Sequence, residues 1–170
     1  MTTPDPNLLV LSEHPNGVRT GDGPRVVYDL DDNVAFLGLA RVDGPALVWE
    51  FGDPGPGDWV VRCDRVDFPP GGVAYRHVHP GPGIRRILHG ELTIDREDAG
   101  SRTYRVGESW LEGADDPVQA TASPTEETAF VRVMLLPAEW AGRRTIRYLD
   151  PADEDKPRLQ RATVLLEAPL

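Results

Sequence analysis

The sequence predicts an all-β domain, a sandwich or barrel built from many short strands. Three observations predict it. Short runs rich in Val, Ile, Phe, Tyr and Trp recur along the chain, and Gly, Pro or Asp bounds most of them. Glycine and proline number 17 each, punctuation that suits short strands better than long helices. No internal repeat is visible, so the strands build one barrel rather than two.

The elements follow in order. Asn7–Leu11 opens the series, followed by Arg25–Leu30, Asn33–Ala40 and Ala46–Phe51. The Gly- and Pro-rich segment GDPGPGDW (Gly52–Trp59) is a loop. Trp59–Phe68 then runs to a Pro-Pro-Gly-Gly break, and Val73–His79 to a second break at Pro80-Gly81-Pro82-Gly83. Ile84–His89 and Glu91–Asp95 flank Gly90 and read as a hairpin. Arg102–Val106, Pro117–Ala122 and Ala129–Leu136 complete the barrel. Only Pro137–Arg144 and Pro151–Arg161 carry any helical potential, and both are short and weakly patterned. Tyr148–Arg158 is polar and broken by proline, a connector that brings a last strand, Ala162–Glu167, to a sheet edge of this barrel or of a partner subunit. All of this is one domain: residues 1–50 supply strands that pack on the barrel, residues 51–140 the barrel, and residues 141–170 an extension with the final edge strand.

Charge and cysteine narrow the function classes. A net charge of −10 in 170 residues repels nucleic-acid phosphates and anionic membranes alike. The single cysteine, Cys63, permits no internal disulfide and fits a reducing cytoplasm. It lies inside the Trp59–Phe68 strand, the setting of a buried, inert thiol. The N-terminal text lacks the basic start and apolar run of a secretion signal, and no apolar run reaches transmembrane length. Phosphate loops, a nucleophile elbow and CxxC pairs are all missing.

The informative stretch is Gly71–Leu92, GGVAYRHVHPGPGIRRILHGEL. His77 and His79 stand two apart, so on a strand they face the same way and two imidazoles can chelate one divalent ion. Tyr75 shares their parity and is a candidate acid/base or wall residue. Arg85 lies two residues beyond Gly83 and is a candidate fork for a carboxylate or enolate; a rim position is the alternative. Arg86 has the opposite parity and faces solvent. His89 belongs to the turn at Gly90. Arg132 interrupts the apolar run of Ala129–Leu136 and is either paired inside or outward-facing. Trp110 and Phe130 are core residues, and Glu108 and Glu112 are solvated carboxylates by default.

The spacing Gly71, five residues, His77-Val78-His79, three residues, Gly83, six residues, Gly90 resembles the first motif of the cupins. Gly107 and the following GADDPVQATAS resemble the second motif with one extra turn residue. The strand AFVRVMLLP resembles the closing strand, so the resemblance spans roughly Trp59 to Pro137. It implies a cupin-type double-stranded β-helix, a jelly-roll barrel with additional N- and C-terminal strands. It also implies a metal site at His77 and His79, with Gln119 where the family has its third histidine and Gly83 where it has glutamate. The matching metals are iron, zinc, manganese or nickel, no organic cofactor is implied, and Gln119, Arg85 and Arg132 are the substrate-binding candidates.

Three readings follow. The first is a metal-assisted lyase, isomerase, cyclase or dioxygenase acting on a small organic molecule, associated with bacterial secondary metabolism. The second is a metal-free enzyme with His77 or His79 as base, Tyr75 as acid and Arg85 stabilising negative charge. The third is a non-catalytic small-molecule-binding barrel. Each takes a small molecule as partner and no nucleic acid or membrane, and the tail strand suggests a homodimer.

Overall fold

The computed structural model describes residues 8–170; Asn7, where the sequence places the first strand's start, lies outside the described residues. The N-terminal part forms β1 (Leu9–His14), β2 (Val18–Arg19), β3 (Arg25–Asp29), β4 (Val34–Leu37), β5 (Arg41–Val42) and β6 (Ala46–Phe51). The barrel strands are β7 (Trp59–Phe68), β8 (Val73–Val78), β9 (Gly83–His89), β10 (Glu91–Arg96), β11 (Gly100–Arg105), β12 (Ser109–Glu112), β13 (Val118–Ala122) and β14 (Thr128–Pro137). β15 (Arg147–Tyr148) and β16 (Arg161–Pro169) complete the chain.

From β7 onward the chain passes back and forth between two five-stranded sheets, ordered β12-β9-β14-β7-β16 and β11-β10-β13-β8-β15, with only the β10–β11 hairpin staying in one sheet. All pairings are antiparallel. Val66, Phe68 and Phe130 of one sheet and Leu92, Ile94 and Ala120 of the other bury each other in one cluster, so the sheets pack face to face. This is a double-stranded β-helix, the jelly-roll barrel that the sequence predicts.

The first, third, fourth and sixth strands form a separate sheet in the order β1-β6-β3-β4. It packs on the outside of the barrel: Leu9, Tyr28, Leu47 and Trp49 share a buried cluster with Val61, Cys63, Val131 and Val133. β14 is therefore covered on both faces, which explains its nearly unbroken apolar text. Strand alternation sends Cys63 into this cluster, where burial raises its thiol pKa and keeps it protonated. β16 pairs with β7, so the tail's edge belongs to this barrel.

Several elements differ from the sequence reading. The short strands β2, β5, β12 and β15 have too few residues to show periodicity. The two segments with helical potential reduce to single 3-10 turns at Ala138–Trp140 and Pro151–Asp155. Asp150 opens the second by accepting from the Ala152 amide at 2.9 Å. Arg86 does not face solvent: β1 covers it, and its Nε lies 2.7 Å from Glu13 Oε1. Gly90 does turn the hairpin, with φ +72° and the Glu127 carbonyl oxygen where a Cβ would clash with it. No helix among the described residues is long and apolar enough to cross a membrane.

Candidate active site

Between the two sheets lies a cavity of about 550 Å³, the size of a small-molecule site. Val66, Phe68, Leu92, Ile94 and Phe130 make its apolar wall. Asp64, His77, His79, Arg85, Glu112 and Arg132 line the polar part. The exposed Arg143 and Arg144 line it where it meets solvent.

His77 and His79 both face inward, each only 5% exposed, with ring centroids 5.0 Å apart. His77 Nδ1 lies 2.6 Å from the Tyr75 carbonyl oxygen. A carbonyl only accepts, so Nδ1 carries the proton and Nε2 keeps its lone pair. His79 Nδ1 lies 3.0 Å from Thr145 Oγ1, and its Nε2 lies 3.3 Å from Arg132 Nη1. A guanidinium only donates, so His79 Nε2 accepts and its lone pair is already used. Burial lowers both imidazole pKa values, with Arg132 and Arg85 adding to it in both; Glu112 offsets part of the effect at His77, and His79 is lowered more strongly. Both rings are neutral near pH 7.

Tyr75 does not join them. Opposite β13, His77 pairs with Val118 and Ala74 with Ala120, so Tyr75 and Arg76 together oppose Gln119. This β-bulge inserts one residue and reverses the parity. Ala74 and His77 line the cavity, while the Tyr75 ring lies outside it, 4.2 Å from Lys156 Nζ. Gln119 is also misplaced by the sequence reading. Val118, Ala120 and Ala122 are the buried, core-facing residues of β13, and Gln119 alternates to the other face.

Arg85 points inward and is 1% exposed. Its Nη1 donates to the Gly83 carbonyl at 2.8 Å, and its Nη2 forms an ion pair with Glu112 Oε2 at 2.7 Å. Nη2 is off the line of a hydrogen bond there and has no hydrogen-bond partner. Desolvation lowers the Arg85 pKa to about 10, so it stays charged at neutral pH. Glu112 is buried rather than solvated. Burial opposes its charge, but Arg85 and the Trp110 indole N–H at 2.8 Å overcome that and hold its pKa below the ordinary value. Arg132 is the inward, paired case: Nε and Nη2 clasp Asp64 at 2.6 and 3.0 Å.

This donor set does not fit a divalent metal. Gln119 is absent from the cavity, and the His79 lone pair is taken by a guanidinium. Among the described residues no group of three or more His, Cys, Asp or Glu side chains is placed to hold an ion. Position 83 has no room for the glutamate of the motif it resembles either: a Cβ there would stand 2.7 Å from Met134 Cγ and 2.8 Å from the Val133 carbonyl oxygen.

Four site residues escape the sequence reading: Glu112, Asp64, Arg62 and Thr145. For Glu112 a signal exists, since it shares strand parity with Trp110, a core residue. Asp64 likewise shares parity with Val66 and Phe68. Thr145 carries no such signal, because it sits in a loop. Arg62 closes the β16 side, holding Glu167 at 2.5 Å and the Arg143 and Trp140 carbonyls at 2.8 and 3.0 Å.

Strand order and the inward histidine pair define a cupin-type barrel. No family model matches the sequence, and no curated protein matches it. Among solved structures it is similar to the polyketide cyclase RemF from Streptomyces resistomycificus, at 19% identity over 62% of this chain and 74% of that one, TM-score 0.44. It is also similar to a cupin-like protein from Thermotoga maritima, at 18% identity over 55% and 77%, TM-score 0.43. An RmlC-like cupin from Shewanella frigidimarina stands at 18% identity over 51% and 83%, TM-score 0.41.

Proposed function

We propose that the barrel is the active site of an enzyme that moves a proton on a small, largely apolar carbonyl compound, as in isomerisation, elimination or ring closure. The observation that carries this is the unshared Nε2 lone pair of a buried, neutral His77 facing a cavity with an apolar wall. His77 Nε2 takes a proton from the carbon next to the carbonyl. The C–H electron pair stays on the substrate as an enolate, whose oxygen is held by the buried guanidinium groups. The proton then returns from His77 to another substrate atom, with no change of oxidation state. No metal is needed for such a step, and Tyr75, outside the cavity, has no part in it. The single-chain barrel is sufficient for this chemistry; a homodimer and a place in bacterial secondary metabolism remain part of the proposal only as its setting.

The test is exchange of α-protons for deuterium in cavity-sized ketones, followed by proton NMR. The wild type is expected to catalyse exchange, and His77→Ala to slow it by about 10²- to 10⁴-fold. Equal rates in the two proteins would overturn the proposal. Ketones that raise the melting temperature without any exchange would instead indicate a binding protein.

A further inference from the structure

Four strands bring their charges together along the cavity wall. In the β7–β14–β9 register Arg132 lies directly opposite Asp64 on one side and Arg85 on the other. Glu112, from the next strand, pairs with Arg85 beyond it. The order across the row is therefore carboxylate, guanidinium, guanidinium, carboxylate. All four side chains are buried, none more than 8% exposed.

Like charges directly opposite in a sheet are destabilising, and burial makes them more so. Ion pairing alone does not call for two adjacent cations, because each arginine already has its own carboxylate. Both guanidinium groups line the cavity. Arg85 Nη2, 2.7 Å from Glu112 Oε2, is buried and makes no hydrogen bond. Arg132 commits Nε and one N–H of each Nη to Asp64 and His79, and a guanidinium has five N–H groups, so two remain.

From this row we infer a binding site for a planar anion with two oxygens, a carboxylate or the enolate of a β-dicarbonyl, shared between Arg85 and Arg132. The inference names the substrate class of the His77 reaction and rests on that reading. It also gives the two arginines the charge-neutralising task that a metal performs elsewhere. Asp64 and Glu112 position the guanidinium groups, and the apolar wall takes the rest of the molecule.

Isothermal titration of the full chain with three probes tests it: 2-naphthoate, benzoylacetone near its own pKa, and neutral 2-naphthamide. The two anions are expected to bind about tenfold or more tighter than the amide. Arg85→Lys keeps a charge beside Glu112 but loses the fork, and is expected to erase most of that preference. A neutral pair, Arg85→Met with Glu112→Leu, removes charge from both partners and is expected to do the same while keeping affinity for the amide. Equal binding of all three probes by the wild type, or an unchanged preference in both folded variants, would overturn the site. Preference for the carboxylate alone would assign it to acids, and for benzoylacetone as well to enolates. The deuterium-exchange result is separate: anion preference without exchange upholds this site and removes the catalytic role of His77, and exchange without anion preference does the reverse.

Discussion

Glu112 stands directly across the β9–β12 ladder from Gly83. The position that lacks a carboxylate on one strand thus has a carboxylate neighbour on the next, and Arg85 lies between them, bonded to the Gly83 carbonyl and paired with Glu112. The cavity keeps an acidic group, but one neutralised by a guanidinium rather than offered to a metal.

Placing a glutamate at position 83 should therefore fail. In Gly83→Glu the new Cβ meets Met134 Cγ and the Val133 carbonyl oxygen at under 3 Å. Overpacking of this kind costs about 1–3 kcal/mol. A lower denaturation midpoint with no gain in zinc or nickel binding is expected; a stable variant that binds metal would contradict the packing described.

Removing one partner of the buried pair is costly because the other charge is stranded. Glu112→Gln should destabilise the fold by about 3–5 kcal/mol, and adding Arg85→Met should recover most of it. Urea denaturation of the two variants measures the difference. The pH dependence follows from the depressed Glu112 pKa. Its stabilisation is present above the unfolded-state value and disappears as the pH falls through the lower, folded one. Wild-type stability should thus fall more steeply below the ordinary carboxylate range than that of the double variant.

His77 and His79 act in the same direction at higher pH. Both have folded pKa values below the ordinary 6.5. Below that value the unfolded chain takes up protons that the folded one refuses, so stability declines as the pH drops from about 6.5. The catalytic base is the neutral form, so the acid limb of activity should lie below pH 6.5, with a plateau above. A pH–rate profile whose acid limb lies above pH 7 would exclude His77 as the base.

Tyr75→Phe should leave exchange activity within about twofold of wild type, since the ring lies outside the cavity against Lys156. Thr145→Val, by contrast, removes the acceptor for the His79 Nδ1 proton and leaves that donor buried and unsatisfied. It should cost about 1–3 kcal/mol of stability. Nitrogen NMR of the imidazoles reads the tautomers directly and should show both rings protonated at Nδ1.

Much of the barrel was legible because its signals are local. β6 and β7 begin and end where the apolar runs and turn residues place them, and Trp59–Phe68 is buried on both faces along most of its length. The inward His77 was legible for the same reason; Arg85, for which a rim position stayed open, was decided by the structure. Tyr75 and Gln119 were not, because both arguments assumed an unbroken period of two, and the bulge between Ala74 and His77 interrupts it. Glu112 was missed because the four-residue strand β12 was not recognised as a strand, although its parity with Trp110 marks the inward face.

By itself the sequence determined the class of fold, the strand bearing the histidine pair and the absence of a carboxylate at position 83. Each depends on residues close together in the chain, where backbone geometry and turn chemistry act. Tertiary structure alone decided what those histidines face. The row of Asp64, Arg132, Arg85 and Glu112 comes from four strands, and its order is set by strand order and register. Register is fixed by which faces are buried against distant strands, and no local pattern encodes it.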